Sequence, residues 1–409
     1  MGILSTIFQT KNAASRPAPD DDYWYLPFVG KVKAGVDVNE FTAMNYSAVW
    51  LAVMFISQTI ASLPYQLYRN SNGRKIKATG HRSYRVIHKR PNPLMPAMTF
   101  WETIIAHCVS WGDGYAEKVY DASGVVNALW PIPPNRCTPV MRDKELQYDI
   151  RVGAETITLP RERVLHIPGI GFDGLKGYSV ITMARESIGM GMATEDFGSR
   201  FFGQGAHPGL VASHPGKLGE VAHKNLESSL NKNYAGLGHA HRMMLLEEGM
   251  TVEKIGLPQK DSQYLETREF QITEIARWFN LPPHVLKDLS RATFSNIESQ
   301  AQELVKYSLR PWMVRIEQHC DLQILPLASQ GTHYHKWNAE GLLRGDSAAR
   351  GEFYKSLWNM GAITINDIRE KEDLDPADGG DTHFVPLNMT TLEHAINNPP
   401  ERGQTGDQE

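Results

Sequence analysis

Two helix-length segments, residues 179–204 and 262–280, bracket a stretch of short elements at 205–260, and Pro282-Pro283 closes the second of them. That order of pieces limits the fold more than any single motif does. Ser179 to Gln204 spans 26 residues, about 39 Å at 1.5 Å per residue. Ile181, Ala184, Ile188, Ala193, Phe197 and Phe201 share one face or its margins. Gly189, Gly191 and Gly198 lie inside it, and each costs about 1 kcal/mol relative to alanine in a helix interior. Small residues permit close approach, and a helix packed inside one core or against another chain would both use them.

The second helix carries Leu265, Ile272, Ile275, Ala276 and Phe279 near one face. Leu281-Pro282-Pro283 stops it, because proline removes a donor and disfavours helix in the residue before it. After a loop or short helical turn from His284 to Thr293, Ser295 and Glu298 form a capping box for a third helix. Its stripe is Ile297, Ala301, Leu304, Ser308, Trp312, Ile316 and Cys320, and Pro311 predicts a kink.

Residues 1–22 read as an arm ending in Asp20-Asp21-Asp22. A helix is predicted over 45–63, then a hairpin in which Tyr65–Arg69 turns at Asn72-Gly73 into Arg74–Lys77. Pro91-Asn92-Pro93 precedes a helix from Phe100 to Trp111, with Thr99 as its cap and Gly112-Asp113-Gly114 as its end. Six strand-like pieces follow: 116–120, 128–132, 138–141, 148–152, 156–159 and 164–167. Helices followed by such a sheet define an α+β class for residues 41–178. Within 205–260 the pattern predicts a strand in 207–214, a helix at 217–234 and strands at 242–246 and 251–255. Helices at 341–360 and 364–371 and a polar tail close the chain.

Charge and motif content narrow the chemistry. With 42 Lys and Arg against 46 Asp and Glu, the net charge is −4. Any DNA contact is therefore loose, transient or confined to a small part of the surface. Cys108, Cys137 and Cys320 are too few and too scattered for a disulfide framework. The apolar run 48–63 is broken by Ser57-Gln58-Thr59 and is shorter than the ~20 residues of a membrane span, so no membrane partner is expected. No P-loop, dinucleotide fingerprint or nucleophile elbow occurs. The pairs His333/His335 and His239/His241 lack further ligands, and Asp373, Asp375, Asp378 and Asp381 lack calcium-loop spacing. Neither a cofactor nor a metal site is expected.

Five local stretches in this order resemble portal proteins of the HK97 type. They are Asn45–Trp50 with Ile60–Pro64; Pro91-Asn92-Pro93 with Gly112–Ala116; Ile275–Pro283; Thr293–Glu298; and Leu309–Trp312 with Glu317. The resemblance covers about 40–375. It implies a wing at 41–178 after an N-terminal arm at 1–40, stem helices at 179–204 and 261–281, and a clip at 205–260. It further implies a tunnel loop at 282–296, a long helix returning to the wing at 297–336, and a crown with a polar tail at 337–409. It implies a structural ring, usually of twelve copies, at one vertex of the virion, assembled in the host cytoplasm and passing double-stranded DNA. Large terminase, a head-tail adaptor and the major capsid protein or scaffold are the implied partners. On that template Gly189, Gly191 and Gly198 serve ring packing, and Lys287 and Arg291 meet DNA in the channel. The rival reading is a transferase-like cytoplasmic enzyme with a cleft in 41–178, which requires titratable side chains that converge.

Overall fold

The computed structural model describes residues 32–71, 74–203, 210–213, 216, 219–221, 223–224, 228, 251–254, 261–288, 300, 302–339, 342, 347–372 and 375–384. The chain forms two compact units, 1–339 and 340–409.

In the first unit α1 (Ser47–Ala61) buries Val49, Ala52, Val53, Ile56 and Ile60, the apolar side of its helical repeat, and packs on the helix after the hairpin. Strands β1 (Tyr65–Ser71) and β2 (Arg74–Lys77) form the expected hairpin. A helical turn, Arg82–Lys89, leads on to α2 (Ala97–Trp111). Helix α2 starts two residues before the predicted cap. Pro96, extended at ψ 164°, sets its first turn, and Thr99 lies inside the helix, its carbonyl accepting from Thr103 Oγ1. Gly112 ends α2 at φ +91°, the left-handed backbone that a helix C-terminus favours in glycine.

All six predicted strand pieces are strands: β3 (Asp113–Tyr120), β4 (Val126–Ile132), β5 (Cys137–Arg142), β6 (Glu145–Val152), β7 (Glu155–Pro160) and β8 (Val164–Pro168). They pair as two antiparallel three-stranded sheets, β4-β3-β8 and β5-β6-β7. Tyr115, Ile132, Cys137, Tyr148, Ile150 and Val164 form the core between them.

The helix predicted over 179–204 divides. A turn, Val180–Met183, is capped by Ser179 Oγ, and α3 (Arg185–Gly203) begins after Ala184 leaves helical geometry at ψ 3°. Strands β9 (Leu210–Ser213) and β10 (Thr251–Lys254) pair antiparallel in the insert, and the predicted strand at 242–246 lies outside the described residues. Helix α4 (Asp261–Trp278) follows. The third helix is already helical at 302–303, passes through a π-wound turn, Leu304–Leu309, and continues as α5 (Arg310–Gln323). Pro311 lies just after this π-wound turn inside one continuous helix, and Tyr307 O, which its missing N–H cannot reach, accepts from Asn280 Nδ2 at 2.9 Å. Strand β11 (His333–Trp337) then adds to β1, placing Tyr65 opposite Trp337 and giving the order β11-β1-β2. Tyr65 and Trp337 stack at 4.1 Å, and Trp101 of α2 meets both edge-on.

The second unit contains α6 (Ser347–Asn359) and α7 (Ile365–Lys371). Thr364 and Asp367 cap α7 reciprocally, each side chain accepting from the other's backbone N–H. The acidic turn after α7 folds around Asn366, whose amide donates to Ala377 O and Asp381 Oδ1 and accepts from Ala377 N.

Candidate functional site

Helices α3 and α4 pack antiparallel. Tyr264 donates to Thr194 O, Arg268 pairs with Glu195 at 2.7 Å, and Trp278 Nε1 donates to Ser187 Oγ at 3.2 Å. The three glycines of α3 are all buried, and each admits a side chain of the same chain. A Cβ at Gly189 would lie 2.5 Å from Val32 Cγ2, one at Gly191 2.7 Å from the Tyr46 ring, and one at Gly198 against the Tyr264 hydroxyl. Burial among these groups, followed by the charge of Glu195, pushes the Tyr46 phenol up to about 12. The close approach expected at these glycines is thus made inside the subunit. The exposed large apolar residues of α3 and the turn before it, among those described, are Met183, Met190 and Phe197, at seven-residue spacing and 40%, 51% and 52% exposed.

At the other end of α4 the sequence dictates a firm stop. Asn280 adopts the left-handed region at φ 53°. Asn280 N–H donates to Arg277 O, and Leu281 N–H donates to Ala276 O, the bonding pattern of a Schellman cap. Pro282 and Pro283 then redirect the chain into a 3-10 turn, Pro283–Leu286, which packs against α1 and buries Val285 and Leu286. Lys287 ends that turn, exposed and left-handed at φ 65°. Arg291 lies outside the described residues.

Beside the turn runs an open groove of about 980 Å³ between α4 and residues 300–308. Glu266, Glu269, Asp288 and Glu303 line it, against Arg277 and His284. A groove with this excess of carboxylates repels phosphates.

One polar constellation was missed from sequence. Asp113 Oδ1 accepts from His166 Nε2 at 3.1 Å and from Gly177 N–H at 2.8 Å, and Tyr148 bonds His166 Nδ1 at 3.1 Å. Tyr115 stacks on the imidazole at 4.5 Å. Carboxylate, imidazole and phenol in series have the form of a proton relay. Their exposures of 3%, 5% and 1% leave no approach for a substrate, so the series joins the two sheets. Gln323 at the end of α5 extends the tie, exchanging hydrogen bonds with both backbone groups of His166. Nothing in local sequence marks these partners, which lie 18 to 157 residues apart.

The paired histidines of β11 serve separate purposes. His335 is buried and bonds Asp321 at 2.7 Å, and His333 lies 5.0 Å from the His81 ring. Among the described residues no group of three or more ligating side chains is placed to hold a metal, and no helix is long and apolar enough to cross a membrane.

Two half-hidden imidazoles predict acid sensitivity. Burial pushes His107 down to about 4, and burial, followed by the charges of His166 and Arg315, does the same for His319. Unfolded histidines protonate near 6.5, so between pH 6.5 and 4 the unfolded chain binds more protons than the folded one. The stability from these neutral rings is complete above pH 6.5 and falls as pH drops toward 4. Urea unfolding midpoints should decline across that window, and H107F should flatten part of the decline.

Comparison with known proteins places the chain. The profile of the family described as "Phage portal protein" matches residues 47–373. The portal protein of Enterobacteria phage HK97 is 30% identical over 389 residues, covering 92% of this chain and 90% of its own length. Among solved structures, an HK97-family phage portal protein from Corynebacterium diphtheriae superposes with a TM-score of 0.58 at 16% identity, covering 77% of this chain and 98% of that one. A chain of the neck of the native gene transfer agent particle, computed with C12 symmetry, gives 0.54 at 18%, covering 83% and 94%. The chain belongs to the phage portal protein family. That family is structural rather than enzymatic, which sets aside a transferase in 41–178 and agrees with the sealed Asp113–His166–Tyr148 series.

Proposed function

We propose that this chain is the subunit of a ring, of twelve copies on the symmetry of its neck relative, set at one capsid vertex and passing double-stranded DNA. Membership in the portal family carries this reading. On it, residues 41–178 form the wing, α3 and α4 the stem, 205–260 the clip, 282–296 the tunnel loop and 337–409 the crown and tail. Terminase, a head-tail adaptor and capsid protein or scaffold are the partners that such a ring meets, in the virion and during assembly in the host cytoplasm.

The stem supports it in one respect that differs from the sequence-based expectation. Gly189, Gly191 and Gly198 are filled from within, so neighbouring copies meet across the outward stripe of Met183, Met190 and Phe197. A ring interface is heterologous, one patch meeting a different patch on the next copy, and an exposed apolar row on a stem helix suits that role.

Lys287 is the loop cation offered to DNA. Its left-handed backbone costs about 1 kcal/mol in a non-glycine residue, so a substitution changes strain as well as charge. Comparing K287G, which removes charge and relieves strain, with K287E separates the two effects. The K287E, R291E double variant should assemble normally and package or retain less DNA, measured as nuclease-protected DNA per particle. Loss of assembly instead would make the loop structural.

A further inference from the structure

Residues 41–101 hold eight of the chain's 42 Lys and Arg and none of its 46 Asp and Glu. All eight fall between Arg69 and Arg90, so an acidic protein carries one strongly basic segment. The fold places part of that segment on one side, Lys75 and Lys77 of the hairpin, whereas Arg69 and Arg74 fall on the opposite row. Strand parity separates β1 into an inner row, Tyr65 and Leu67, and an outer row, Gln66 and Tyr68. The register sets Lys77 opposite Tyr68 and Lys75 opposite Asn70, which puts both lysines on the outer row. Lys75 Nζ lies 3.9 Å over the Tyr68 ring, and Tyr334 of β11 stacks on Tyr68 from the other side. The helical turn after the hairpin continues the surface. Tyr84 donates to Gln66 Oε1, and Arg82, Arg85 and Lys89 share its exposed side. Asp121 reaches this side as a carboxylate, paired with Arg82 at 3.1 Å.

We infer that this hairpin and turn form a second nucleic-acid contact, distinct from the channel loop, that holds the phosphate backbone of duplex DNA on the outer side of the wing sheet. A duplex presents a continuous row of phosphates, and cations spread over a strand edge and a helical turn match such a row better than a single anion. Lys75, laid on the Tyr68 ring, is held at the strand surface at little cost in side-chain freedom. Outside this segment 34 Lys and Arg stand against 46 Asp and Glu, so the remainder of the chain repels DNA and the contact is local and reversible. It does not depend on ring formation.

The test is fluorescence anisotropy of a labelled short duplex with the full-length chain across a salt series. K75E, K77E should weaken binding at least tenfold at low salt. It should also lower the slope of log affinity against log salt by about 2, at ~0.9 for each phosphate that is no longer neutralised. K144E, R151E, an equal charge change on the exposed β5-β6-β7 sheet, should leave both unchanged. Equal weakening by the two pairs would overturn the proposal, since net charge alone would then account for binding. So would loss of poly-glutamate binding with duplex binding intact, which would assign the face to an acidic protein. Loss confined to K287E, R291E would also overturn it and leave the channel reading standing. Sedimentation of each variant checks that assembly is unaltered.

Discussion

G177A is expected to lower the unfolding stability of the first unit by about 4 kcal/mol, the range reserved for backbone and packing faults that cannot relax. A Cβ there would sit against Gly112 O, 2.6 Å from Gly169 N and 2.8 Å from Gly112 C. All three are backbone atoms at the junction where α2 ends and the loop after β8 returns, so no rotamer change makes room. Gly169 N–H also donates to Gly112 O at 2.6 Å, which pins the two strands of chain together. Gly80 makes the control, because a Cβ there meets nothing within 4 Å, and G80A should shift stability by less than about 0.5 kcal/mol. Chemical denaturation of both variants decides the matter, and a G177A midpoint equal to wild type would mean that the loop has other room.

D113A is expected to cost about 3 kcal/mol, near the figure for removing one member of a buried, hydrogen-bonded pair. It leaves His166 Nε2 and Gly177 N–H without their acceptor in a site exposed by only a few percent. D113N keeps an acceptor oxygen and should recover part of the loss. Because Asp113 holds the N–H of the residue whose Cα packs on Gly112, the D113A and G177A effects should fall short of additive in the double variant. Additive losses would show that carboxylate and close contact act independently.

Both sites show where sequence reasoning stops. The six strands were legible because alternation and Gly or Pro punctuation are local, as was the stop at Pro282-Pro283, whose bonds span a few residues. Which elements meet is not local. Tyr65 pairs with Trp337, and β11 by itself reads as two alternating histidines. The α3 glycines were legible as close-approach positions, but their partners Val32, Tyr46 and Tyr264 come from three different segments, so the occupant could not be named. The break at Ala184 was hidden because Ser179 caps a turn that helical periodicity runs straight through. That Lys75 and Lys77 share one row depends on the hairpin register, which the run of charges alone does not give.

Ring formation is the claim on which the account turns, and electron microscopy of the purified full-length chain tests it most directly. Closed rings with a central hole are expected, with twelve-fold symmetry in class averages on the function proposed above. Monomers and small dimers alone, over a wide range of protein and salt concentration, would contradict the account.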